Sequence, residues 1–154
     1  MEQDAVLPMV SFEHYMLADD RQNYPMCFFL RLEVEGTFDE KKFAESVANL
    51  RNLHPLLYST VVGSRKGRTR RIAWSLARDA FPFISWYADQ IPGLGGKPPY
   101  IDLDRELGFR IYLRRVNTVT EMICQFHHAC VDGKGALRFL EDLFAHYHAS
   151  TQGE

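Results

Sequence analysis

The sequence predicts a mixed α/β (α+β) domain, with a mixed, largely antiparallel sheet flanked by helices. Three observations predict it. Runs that alternate between two sets of side chains, as a strand with two faces must, recur along the chain. Between them lie stretches with apolar residues three and four apart, the pattern of a helix with one buried stripe. The clearest strand pattern, residues 121–128, leads directly into the clearest helix pattern, residues 135–149. The whole chain, 1–154, reads as a single domain: 46% hydrophobic and 25% charged residues suffice for one core.

Taken in order, residues 11–20 read as a short helix with Phe12, Tyr15 and Met16 on its apolar side, broken at Asn23-Tyr24-Pro25. Residues 26–35 form the next strand. Met26, Phe28, Leu30, Leu32 and Val34 alternate with a second set that turns polar only towards its end. Gly36 ends it. Thr37 and Glu40 have capping-box spacing for a helix that runs to about Asn52, with Phe43, Val47 and Leu50 inward, until His54-Pro55 stops it. Residues 56–62 and 70–75 suggest a hairpin around the turn at 63–67. Residues 76–99 carry apolar side chains without a clear period and end in a Pro/Gly loop. The glycines of that loop are not spaced to cradle a phosphate, so it receives no nucleotide role. Residues 107–116 and 121–128 form a second hairpin around Asn117-Thr118, and the last helix follows.

Several function classes are excluded by composition. A net charge of −2 gives no electrostatic case for nucleic acid. The N-terminus, Met1-Glu2-Gln3-Asp4, has no apolar signal core behind it, and no apolar run approaches membrane-spanning length. Cys27, Cys124 and Cys130 are odd in number and follow no C-x-x-C spacing, so buried thiols in a reducing, cytoplasmic compartment are expected. The basic run from Arg65 to Arg71 reads as a solvated hairpin tip, with the phosphates of coenzyme A or a phosphopantetheine arm as the sharper alternative.

The chemistry concentrates where the last strand ends. Met122, Cys124, Phe126 and His128 share one strand face; Ile123, Gln125 and His127 share the other. His128 therefore closes the apolar side at the strand's mouth, four residues before Asp132. An imidazole placed there is a candidate general base, because its ordinary pKa of about 6.5 leaves it largely neutral at pH 7. The plainer alternative is a core histidine satisfied by a backbone carbonyl. His127 reads as a packing or hydrogen-bonding side chain, and Asp132 as the residue that fixes the turn. Gly133 is expected to permit a backbone conformation or close approach that a Cβ would block. Adjacent strand histidines point apart and cannot readily share an ion, so no metal site is expected.

The run His127-His128-Ala129-Cys130-Val131-Asp132-Gly133 resembles the HHxxxDG signature of the chloramphenicol acetyltransferase-like acyltransferases, which include the condensation domains of nonribosomal peptide synthetases. Gly36-Thr37-Phe38-Asp39, a helix and His54-Pro55-Leu56-Leu57 resemble the opening segment of condensation-type domains. Asp102-Leu103-Asp104 with Gly108-Phe109-Arg110 resembles the lead into their motif strand. The resemblance covers residues 7–150 but only the N-terminal half of the family's two-lobed domain. It implies acyl transfer from a CoA or carrier-protein thioester to an amine or hydroxyl, with His128 as base, Asp132 as its support, and His127 and Gly133 supporting the motif. The thioester is a co-substrate, and no tightly bound cofactor is implied. The implied partners are acyl-CoA or an acyl carrier protein, together with a separate C-terminal half or further copies of the chain. The family pairs the signature aspartate with an arginine where this chain has Tyr58, which leaves Tyr58, Arg51 and Arg110 as its possible partners. The alternative is a truncated, non-catalytic module that acts by interaction.

Overall fold

The structure is a computed structural model that describes residues 5–64, 71–92 and 95–153. The expected turn at 63–67 and the basic run from Arg65 lie almost wholly outside them. Two sheets form. Strands β1 (Val6–Pro8), β3 (Ser59–Ser64) and β4 (Arg71–Leu76) make an antiparallel sheet in the order β1-β4-β3. Strands β2 (Cys27–Glu35), β5 (Phe83–Tyr87), β6 (Phe109–Val116) and β7 (Val119–His127) make the larger sheet, in the order β2-β7-β6-β5. Only β5–β6 is parallel, so the larger sheet is mixed and mostly antiparallel, as expected. Strands β1 and β5 are not among the expected elements.

Register aligns the faces of the larger sheet. Phe28, Leu30 and Leu32 lie opposite Phe126, Cys124 and Met122, which in turn face Phe109, Ile111 and Leu113. This apolar face receives the helices α2 (Glu40–Asn49) and α3 (Gly133–Gln152). The Phe139 ring packs 5.1 Å from Phe109 and 5.8 Å from Phe126, and Tyr147 lies 5.8 Å from Phe43. The opposite face carries Cys27, Phe29 and Arg31 beside His127, Gln125, Ile123 and Glu121. A small second cluster of Ile91, Tyr112 and Ile123 lies on that side.

Local chemistry explains two departures from expectation. Asp39, not Thr37, caps α2: its carboxylate accepts the Lys42 amide at 2.9 Å. The Asp39 amide donates to the Tyr147 hydroxyl at 2.7 Å, so α3 satisfies a donor that a capping box would otherwise serve. Helix α1 (Ser11–Asp19) buries Leu17 and packs Met16, one of the three residues expected inward, against the core, but leaves Phe12 and Tyr15 more than half exposed. Asn117 takes a positive φ of 56° in the two-residue β6–β7 turn, which asparagine adopts more readily than most residues. Among the described residues, no helix is long and apolar enough to cross a membrane.

Candidate functional site

Strand β7 ends at His127, and the chain turns through His128, Ala129 and Cys130 before α3 opens at Gly133. The turn is held on three sides. The His128 amide donates to the Met26 carbonyl at 2.8 Å, just before β2. The His127 amide donates to the Gly108 carbonyl at 2.9 Å, just before β6. The Cys130 amide donates back to the His127 carbonyl at 3.0 Å.

The two histidines separate as strand parity requires. His128 is half-buried, and its ring lies 4.6 Å from that of Phe28. No described side chain hydrogen-bonds its ring nitrogens. Burial holds its pKa below the ordinary 6.5, the neighbouring His127 pushes the same way, and Asp132 opposes them. His128 is thus a neutral imidazole at pH 7, with access to solvent.

His127 is 1% exposed. Its Nδ1 accepts the Ala129 amide at 3.1 Å, and its Nε2 lies 3.2 Å from Asp20 Oδ2. The Nε2 contact is close but poorly aligned for a hydrogen bond, and no other described group satisfies that nitrogen. Asp20 follows α1. Its other oxygen accepts the Met26 amide at 2.9 Å. Burial pushes the Asp20 carboxyl up, but His127 and the Met26 amide outweigh it and hold the net pKa below the usual carboxylate value.

Asp132 is the N-cap of α3, accepting the Gly135 amide at 2.7 Å. The three groups expected as its partners are engaged elsewhere. The Tyr58 hydroxyl donates to the Val47 carbonyl. The Arg51 guanidinium donates to the carbonyls of Ala77 and Ala80 and lies over the Tyr58 ring. Arg110 pairs with Glu106 at 2.7 Å and lies on the opposite sheet face from His128. Among the described residues, Asp132 caps the α3 backbone and makes no charged pair.

Gly133 also departs from expectation. It starts α3 without a positive φ, and nothing lies within 4 Å of where a Cβ would project. The close approaches occur at two glycines the sequence did not single out for this role. A Cβ on Gly108 would meet Cys130 Sγ at 2.2 Å and its Cβ at 2.9 Å. A Cβ on Gly135 would meet Val131 Cγ2 at 2.6 Å.

Cys130 is buried, and burial pushes its thiol far above the ordinary value, which disfavours the thiolate a nucleophile needs. Among the described residues, no three His, Cys, Asp or Glu side chains are grouped to hold a metal ion. Behind the turn, an apolar groove of about 400 Å³ runs between residues 53–57 and the start of α3, and His128 does not line it. At its edge, His54 Nε2 lies 2.9 Å from Asp142 Oδ2, tying α3 to the segment after α2.

No protein-family model matches this chain, and no curated protein matches it. Solved structures do. The X-domain from teicoplanin biosynthesis, solved in complex with OxyB, aligns with a TM-score of 0.81 at 15% identity, over 100% of this chain and 35% of that one. The starter condensation domain of rhizomide synthetase aligns with a TM-score of 0.76 at 12% identity, over 97% of this chain and 38% of that one. The first condensation domain of the calcium-dependent antibiotic synthetase, in complex with a substrate analogue, aligns with a TM-score of 0.76 at 14% identity, over 99% and 41%. This chain therefore spans well under half the length of the structures it matches. It shares the fold of the matching part of these condensation-domain structures.

Proposed function

We propose that this chain supplies one lobe of an acyltransferase site of the HHxxxDG type, with His128 as general base. An amine or hydroxyl attacks the carbonyl of a CoA or carrier-protein thioester. A C–N or C–O bond forms, the C–S bond breaks, and the sulfur leaves as thiolate. His128 takes the proton that the acceptor loses and returns it to the departing thiolate. The observation that carries this reading is the contrast within the histidine pair: His127 is buried, with Nδ1 accepting the Ala129 amide and Nε2 against Asp20, while His128 has its pKa held below the ordinary value and its ring open to solvent. The lobe opposite His128 is a C-terminal half, in the same polypeptide or a separate chain, or a further copy of this chain. Three free cysteines suit a reducing, cytoplasmic setting.

The test is thiol release from acyl-CoA with primary amine acceptors, run beside light scattering to fix the oligomeric state. His128→Ala should lower the rate by about 10²–10⁴, the usual contribution of a general base. Unchanged turnover in that variant would remove His128 from the mechanism. A second reading is a non-catalytic module that acts by interaction. It is favoured by one structural neighbour, the X-domain, which was solved as a complex with OxyB. A monomer without thiol release, with or without added acceptor, selects this second reading.

A further inference from the structure

We infer that Asp20 is a positioning residue for the His127–His128 turn, acting through His127. The inference rests on the acyltransferase reading only for its effect on rate; its geometry stands apart from that reading.

Asp20 lies between α1 and β2, outside the signature, yet its carboxylate reaches both strands that meet at the turn. One oxygen accepts the Met26 amide at 2.9 Å, and the Met26 carbonyl accepts the His128 amide at 2.8 Å. The other oxygen faces His127 Nε2 at 3.2 Å, while His127 Nδ1 accepts the Ala129 amide at 3.1 Å. The carboxylate thus anchors the backbone on both sides of His128, once through Met26 and once through the His127 ring. Both side chains are nearly sealed from solvent, at 1% and 3% exposure, so water does not substitute for either partner.

This arrangement fixes the tautomer of His127. A ring that accepts at Nδ1 must, when neutral, carry its proton on Nε2. The nitrogen that carries it stands 3.2 Å from Asp20 Oδ2, and a carboxylate can attract that proton while also accepting the Met26 amide. An asparagine cannot serve both contacts, because they fall on different oxygens of Asp20 and one of those positions becomes an NH2. If the amide NH2 faces His127, two donors oppose each other. The ring must then move its proton to Nδ1, which abolishes the bond from Ala129. If the amide turns round, the Met26 amide loses its acceptor. Either way, one of the two anchors beside His128 is released.

The experiment is long-range ¹H–¹⁵N spectroscopy of the imidazoles in the ¹⁵N-labelled full chain, together with amide hydrogen exchange, for the native protein, Asp20→Asn and Asp20→Ala. The native His127 should carry its proton on Nε2. In Asp20→Asn, either the His127 tautomer switches or the Met26 amide loses protection. In Asp20→Ala, exchange at Met26, His128 and Ala129 should rise by about 10- to 100-fold, the scale of losing a charge-assisted hydrogen bond. The amides of Ile111 and Leu113, in the same sheet, should not change. Uniform acceleration that includes Ile111 and Leu113 would make Asp20 a general stability residue and overturn the inference. So would an unchanged tautomer with unchanged exchange at the three turn amides. If Asp20→Ala does not fold, the near-isosteric Asp20→Asn decides alone. Where the native chain transfers acyl groups, Asp20→Asn should lower kcat and leave KM unchanged. A native chain without activity defeats the functional reading and leaves the spectroscopic result to decide the role of Asp20.

Discussion

Replacing Gly108 with alanine tests whether the motif turn is built against the start of β6. The new Cβ would stand 2.2 Å from Cys130 Sγ and 2.9 Å from Cys130 Cβ. Carbon and sulfur need about 3.5–4 Å, so one side must retreat by more than an ångström. Neither neighbour can yield easily. The Gly108 amide donates to the Leu57 carbonyl at 3.1 Å, and its carbonyl accepts the His127 amide at 2.9 Å. Cys130 is buried and has a single side-chain torsion, with its own amide bonded to the His127 carbonyl. Overpacking of this kind costs about 1–3 kcal/mol, and the upper half of that range applies because backbone is fixed on both sides. Urea unfolding followed by tryptophan fluorescence reads the loss as a shift in midpoint without a change in slope. Cys130→Ala removes the closer atom, so the double variant should be less destabilised than the two single changes predict when added. A Gly108→Ala protein as stable as the native one, or a double variant that is simply additive, would refute the contact.

Two further predictions concern the turn itself. Asp132→Ala should destabilise the fold by about 0.5–2 kcal/mol through loss of the α3 cap, whereas Asp132→Asn, an equally good cap, should stay near native; equal losses in urea unfolding would mean that the charge, not the cap, is what matters. The second concerns pH. The His128 pKa in the folded chain is held below 6.5, so as pH falls the unfolded chain takes up this proton first. Stability from this group is therefore greatest above 6.5, declines as pH drops through that value, and levels off below the folded pKa. Imidazole proton shifts should give a His128 midpoint below 6.5, and the acidic limb of any acyl-transfer profile should lie there too; a midpoint above 6.5 would reverse the sign.

How much of this was legible depends on the range of each interaction. Strand β7 and helix α3 could be read because their periods are local, and the separation of His127 from His128 follows from strand parity alone. Strand β5 was hidden: it pairs in parallel with β6 across a long crossover, so its partner is not signalled by a nearby turn. The inward face of α1 was legible only at Met16, because apolar residues lie on both its sides, and only packing selects Leu17 over Phe12 and Tyr15. Tyr58 stands where the resemblance places an arginine, yet its ring is fully buried and its hydroxyl serves the end of α2. Asp20 carried no local signal, since its meaning lies in His127, far along the chain. The constraint on Gly108 was equally invisible, because it is set by a cysteine in another element.

The register of β2 on β7 has a kinetic consequence. Cys27 lies opposite His127, so a hundred residues of chain separate the two strands that frame the turn. The β6–β7 hairpin needs only a two-residue loop and forms within about 1–10 μs. Bringing β2 to its edge closes a far larger loop, with a length-dependent entropy of about 4 kcal/mol. His128 thus receives its Met26 anchor and its Phe28 neighbour only when the most distant pairing in the sheet is made. During synthesis β2 leaves the ribosome early and waits, with its edge unpaired, until β7 exists. The site is therefore complete only once β2 has paired with β7.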